Sequence, residues 1–180
     1  MPKIPDRFVV FDLETTGLSP SKNDIIEIGA IKVDLANSTH PGFKMLVRPK
    51  GRVSARISQL TGITQSMIDA DGVPLANAIA DFSSFCERLP LVSFNASFDR
   101  RFLYSACERL EHPHFKHRSI CALQMARKAW PYRPSHRLTD LCLAAGISVA
   151  DEHRALADCE RALRIFVLSA MALGWEFKQR

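Results

Sequence analysis

Residues 8–18 read FVVFDLETTGL. Four apolar residues, Phe8 to Phe11, run straight into Asp12, and Glu14 follows two positions later. The run reads as a central strand over residues 7–13. Side chains alternate faces along a strand, so Asp12 and Glu14 point to the same one. A buried carboxylate is costly unless it is paired or holds a metal. No Lys or Arg lies between Arg7 and Lys22 to pair with them locally. Thr15, Thr16 and Gly17 then turn the chain. Two carboxylates on one rigid edge suit a hard divalent cation; on spacing alone, the alternative is two ordinary polar residues where a strand emerges into solvent.

Working outward, residues 24–35 (DIIEIGAIKVDL) and 42–48 (GFKMLVR) read as further strands, with LSPSKND as the turn between the first two. Three strands with short connections predict an antiparallel meander. The period then changes: Leu75, Ile79, Phe82, Cys86 and Leu89 fall at helical spacing. Residues 91–94 (LVSF) read as a short buried strand, 97–110 as a helix, and 118–121 (RSIC) as a strand leading into a helix over 122–129. RPSHRL breaks that helix, and a short helix over 137–145 is closed by Gly146. The last helix is expected to start near Asp151 as N-cap, with an apolar stripe of Leu156, Cys159, Leu163, Phe166, Ala170 and Leu173. Three strands followed by helices interleaved with short strands predict an α/β sandwich around a mixed sheet.

Two more acidic segments stand out. In VSFNASFDRRFL, 92–103, Asp99 lies in the first turn of a helix, where a carboxylate also simply favours the helix dipole. In DEHRALADCERAL, 151–163, His153 and Asp158 are five apart, about 140° around a regular helix. They flank one cleft only if it crosses the helix end obliquely; otherwise both are solvated surface residues.

Composition narrows the class. Of 180 residues, 47% are hydrophobic and 24% charged, an ordinary soluble globular balance that is ample for a core. No apolar run approaches the length needed to cross a bilayer, and MPKIPDRF lacks the apolar core of a signal peptide, so a cytoplasmic protein without a membrane partner is expected. Five cysteines without a CxxC motif predict reduced core thiols. The net charge of +5 permits a polyanionic partner. From His112 to Thr139 there is no acid, but six Lys and Arg, four His, Phe115, Trp130 and Tyr132. Basic residues interleaved with aromatics suit phosphate contact and base stacking, or a solvated surface over a few buried rings. The histidines of HPHFKH fit no common zinc spacing and read as surface.

Taken together, FDLETTGL, FNASFD and HRALAD resemble, in order and separation, the motifs of the DEDDh family of 3′–5′ exonucleases, in the branch of the proofreading epsilon subunit of bacterial replicative DNA polymerase. VRPKGRVSARISQLTGIT, SICALQMARKAWP and HRLTDLCLAAGI resemble further family segments, so the likeness spans nearly the whole chain. The resemblance implies a ribonuclease H-like fold, a mixed five-stranded central sheet flanked by helices, and one exonuclease domain over residues 1–180. It implies that Asp12, Glu14, Asp99 and Asp158 bind two Mg²⁺ ions, replaceable by Mn²⁺, and that His153 is the general base releasing nucleoside 5′-monophosphates. Around the terminal nucleotide it implies the backbone from Thr15 through Gly17 to Leu18, with Leu18 and Ile63 beside the last base and Asn95 and Phe98 near the scissile phosphate; for Leu18, Ile63 and Phe98 the alternative is plain core packing. Phe94 stands where many relatives have His, which removes one polar group near the site. Glu27 reads as structural support.

The expected substrate is single-stranded DNA or a frayed DNA 3′ end, in proofreading or repair. A ribonuclease trimming RNA 3′ ends would use the same five residues, and a polymerase-docking module without catalysis is a third reading, disfavoured by the complete set of acids and histidine. Because the chain stops at Arg180, soon after its last helix, the expectation is a free-standing enzyme or an excised domain, with polymerase association as a separate possibility.

Overall fold

The computed structural model describes residues 3–150 and 154–176. β1 (Arg7–Thr15), β2 (Ile25–Asp34) and β3 (Gly42–Leu46) form the expected antiparallel meander. On the other side of β1, β4 (Leu91–Ser93) and β5 (Ser119–Cys121) add parallel strands, giving the order β3-β2-β1-β4-β5. β1 is therefore central and covered on both faces, which is why its sequence is apolar without alternation.

Helices cover each face. Behind Val9, Phe11 and Leu13 lie α3 (Leu75–Cys86) and α4 (Ala96–Leu110), with Phe82 against Phe11 at 5.5 Å between ring centroids. Behind Phe8 and Val10 lie α5 (Ala122–Ala129) and α7 (Ala155–Ala172), with Phe166 edge-on to Phe8 at 5.4 Å. The short α6 (Leu138–Ala144) joins α5 and α7 through Leu141, Cys142, Ala126 and Ile165. This is the expected mixed five-stranded sheet with flanking helices. The five cysteines are free thiols, four of them buried, as expected.

Two regions depart from the sequence reading. The segment after β3 contains two short helices, α1 (Ala55–Thr61) and α2 (Gln65–Asp71). Each is set by a side-chain cap: the Ser54 hydroxyl accepts from the Ile57 N–H and the Thr64 hydroxyl from the Met67 N–H, while Gly62 ends α1 at φ +69°. The last helix begins at Ala155, with Arg154 at the cap, rather than near Asp151, which lies outside the described residues. The reason is a cap from a distant strand: the Ala155 N–H donates to Glu27 Oε2 on β2 at 2.9 Å.

Candidate active site

The site forms where β1 meets the start of α7. In the β1–β2 ladder Asp12 lies opposite Gly29 and Glu14 opposite Glu27, so all four positions share the α7 face. A bulge between Glu14 and Thr15 ends the regular pairing there. Gly29 lets the helix approach: a Cβ at this position would lie 2.5 Å from the backbone of Ala155 and Leu156. Glu27, fully buried, holds the helix start through the Ala155 N–H and through Arg154, whose Nη2 donates to Oε1 at 3.0 Å. One turn into α7, Asp158 then reaches β1. One carboxylate oxygen from each of Asp12, Glu14 and Asp158 lies within 4.8 Å of the others. Arg161 Nη1 donates to Asp158 Oδ1 at 2.7 Å, and the same guanidinium donates to the carbonyls of Ser148 and Ala150, tying the preceding loop to the helix.

Asp99 arrives from the opposite layer. It sits in the first turn of α4, only 2% exposed. Burial raises its pKa to about 7, against the opposing effect of the Ser93 hydroxyl and of backbone groups at Asp99 and Leu13. Burial, then the Asp158, Glu27 and Asp99 charges, push Glu14 up to about 8, with Arg154 pulling the other way. Asp12 is raised well above the carboxylate range by burial and then by Asp99, Glu14, Asp158 and Glu27. Crowded, desolvated carboxylates of this kind are relieved either by protons or by a cation. The donor set is all oxygen, with no thiol or imidazole among the described residues of the cluster, and so fits a hard divalent ion. The neighbouring Cys159 thiol takes no part: it donates to the Gly29 carbonyl, and burial followed by the nearby carboxylates pushes its pKa well up.

The remaining expected residues divide. Leu18 is 81% exposed, the tip of a loop made stiff by its own hydrogen bonds. The Thr15 hydroxyl donates to the Gly17 carbonyl at 2.7 Å, the Asp24 N–H donates to the Thr16 hydroxyl, and the Asn23 side chain accepts from the Ser19 N–H. Gly17 is needed for that closeness, since a Cβ there would meet the Asn23 amide at 2.7 Å. Asn95 is exposed at the cap of α4. Phe98 is half-buried against Phe102, with ring centroids 4.9 Å apart. Ile63 corrects the expectation: it is fully buried with Ile26, Val53 and Ile68, because α1 and α2 fold it inward, and no base can lie on it as placed. Phe94 packs between two apolar clusters, a use its sequence position did not reveal. His153 lies outside the described residues. Sequence reasoning left Glu27 as general support and missed Arg161, whose i, i+3 spacing from Asp158 was the available signal.

Comparison with known proteins accords with this arrangement. The sequence profile described as Exonuclease matches residues 9–166. The PolC-type DNA polymerase III of Bacillus subtilis is 38% identical over 156 residues, which is 86% of this chain and 11% of that protein. That of Oceanobacillus iheyensis is 36% identical over 155 residues, again 86% of this chain and 11% of the relative. The chain therefore spans about a tenth of the length of the curated relatives it matches. Among solved structures, exonuclease X in complex with 5′ overhanging duplex DNA superposes with a TM-score of 0.74 at 26% identity, covering 94% of both chains. Escherichia coli exonuclease I in complex with a dT13 oligonucleotide gives a TM-score of 0.82 at 21% identity over 94% of this chain and 42% of the other, a likeness of fold. The chain belongs to the exonuclease family, and its fold is the one the motifs implied. The family's need for divalent metal accords with the acidic cluster. Among the described residues, no helix is long and apolar enough to cross a membrane.

Proposed function

We propose that this chain is a 3′–5′ exonuclease domain that hydrolyses the last phosphodiester of single-stranded or frayed DNA 3′ ends, releasing nucleoside 5′-monophosphates in proofreading or repair. The observation that carries the reading is the meeting of Asp12, Glu14 and Asp158 within 4.8 Å, with buried Asp99 beside them. These four carboxylates would hold two Mg²⁺ ions, replaceable by Mn²⁺, which supply charge stabilisation at the attacked phosphate and its leaving oxygen. The chain's own groups do the rest. Leu18, apolar and held out on a stiff loop, packs against the terminal base and sets its position. Asn95, exposed beside the first turn of α4, orients the phosphate. Thr15 and Gly17 maintain the loop that carries Leu18. His153 accepts the proton of the attacking water; the P–O bond to the 3′ oxygen of the penultimate nucleotide breaks, and that oxygen is protonated. The likeness to PolC-type polymerases supports association with a polymerase, and in this reading the enzyme works in the cytoplasm with the DNA it trims.

The test is a gel assay on matched 3′-ended single-stranded DNA and RNA, with Mg²⁺ or EDTA, for wild type and Asp12→Ala. Laddering from the 3′ end of DNA that requires both metal and Asp12 is expected. Preference for RNA would move the substrate to RNA, and intact strands with both Mg²⁺ and Mn²⁺ would overturn the nuclease reading.

A further inference from the structure

A trough of about 660 Å³ runs along the outside of α4, lined in part by Ser97, Arg100, Arg101, Tyr104, His114 and Phe115. Its Ser97 end lies in the same first turn of α4 that carries Asp99, with Asp99 turned inward and Ser97, Arg100 and Arg101 exposed on the trough side. Its charge is available. Arg100 and Arg101 form no ion pair among the described residues, and the one acid in the lining, Glu108, is engaged by His114 Nε2 at 2.7 Å. Its aromatic ring is exposed yet fixed: Tyr104 is 57% exposed and stacks on His114 with centroids 4.3 Å apart and planes 10° from parallel. The trough is also continuous with the loop bearing Leu18, since the Ser105 hydroxyl donates to the Pro20 carbonyl at 2.9 Å.

We propose that this outer face of α4 is a track for the single-stranded nucleic acid 5′ of the scissile phosphate, with Arg100 and Arg101 contacting phosphates and the Tyr104–His114 stack supporting a base. The inference rests on the exonuclease reading, because it concerns the strand whose 3′ end enters the acidic site. Guanidinium groups without an ion pair among the described residues, one of them (Arg101) steadied by its Nε–H to the Ser97 carbonyl at 3.2 Å, beside an exposed, braced aromatic face are what a single strand binds: cations follow the backbone, and any base can stack on the ring. The span from Ser97 to Tyr104 rises about 10 Å along the helix, about three nucleotides at a base-stacked spacing. A peptide segment from a polymerase is the rival occupant, and it would not make activity depend on strand length.

Three substrates separate the possibilities: the p-nitrophenyl ester of thymidine 5′-monophosphate, which offers one nucleotide, a dinucleotide, and a labelled dT12 strand. Binding of dT12 is measured separately in EDTA by fluorescence anisotropy, so that the track has a readout independent of hydrolysis. Tyr104→Ala, and the pair Arg100→Ala with Arg101→Ala, are expected to weaken dT12 binding and raise its KM about tenfold while the ester is cleaved at the wild-type rate. Tyr104→Phe keeps the ring and should behave as wild type. The paired arginine variant should also flatten the dependence of log affinity on log salt by about 0.7 for each phosphate that an arginine no longer neutralises. Unchanged dT12 binding in both variants, or equal losses on ester and strand, would overturn the track. If wild type cleaves nothing yet the variants still weaken dT12 binding, the track stands and the exonuclease reading falls.

Discussion

Asp12, Glu14 and Asp99 are three carboxylates whose folded-state pKa values all lie above their ordinary range, with Glu14 at about 8 and Asp99 at about 7. Between roughly pH 4, where these groups ionise in an unfolded chain, and about pH 8, the folded chain holds more protons than the unfolded one. Stability without metal is therefore present at the acidic end of this window and is lost as pH rises through it. Melting in EDTA should show a Tm that falls from pH 5 to pH 8.5. Asp12→Asn removes one of the crowded charges; it should flatten that fall while lowering hydrolysis by at least about a thousandfold. A Tm in EDTA that does not depend on pH would contradict the burial argument. Leu18 and Ile63 make a second contrast at this scale, since both were expected beside the terminal base. Leu18→Ala should leave Tm unchanged and raise KM for DNA several-fold, because the side chain is exposed. Ile63→Ala should cost about 2–5 kcal/mol in urea unfolding, because it empties a packed site.

At the scale of elements, the decisive junction is β2 against the start of α7. Gly29 leaves room for the helix backbone and Glu27 caps its first N–H, so Asp158 is delivered to β1 by a strand 128 positions away from Ala155 in the chain. Gly29→Ala would put a methyl group 2.5 Å from the Ala155 and Leu156 backbone and must displace the helix. The expected outcome is a loss of at least several degrees in Tm together with a large fall in kcat; an active enzyme of wild-type stability would show that α7 is not seated as described. This junction also explains why the start of the last helix differs from its sequence pattern. DEHRALAD offers Asp151 as a local cap, but the N–H at Ala155 is satisfied from β2, which no local pattern reveals. The helices α1 and α2 were within reach of sequence reasoning, because Ser54 and Thr64 are both good caps, but at seven residues each they are too short to carry an apolar stripe.

For the molecule as a whole, the sheet brings a strand, two helix starts and a loop to one edge and concentrates negative charge there. Divalent metal should therefore stabilise the folded chain, and more so at high pH, where the carboxylates have already lost their protons. The rise in Tm on adding Mg²⁺ should be larger at pH 8 than at pH 6, and EDTA should reverse it. Equal rises at both values would place the ion elsewhere. The sequence by itself determined the central strand, the antiparallel meander and the helix periods, because these depend on local alternation and spacing. It also marked Asp12 and Glu14 as neighbours, since two residues along one strand must share a face. The meeting of Asp158 and Asp99 with that pair was suggested by family resemblance and never by spacing, because they stand on different helices in different layers. Only the tertiary structure decided that meeting, the burial of Ile63, the cap from Glu27 and the exposed face of α4, since each depends on which surfaces of distant elements come into contact.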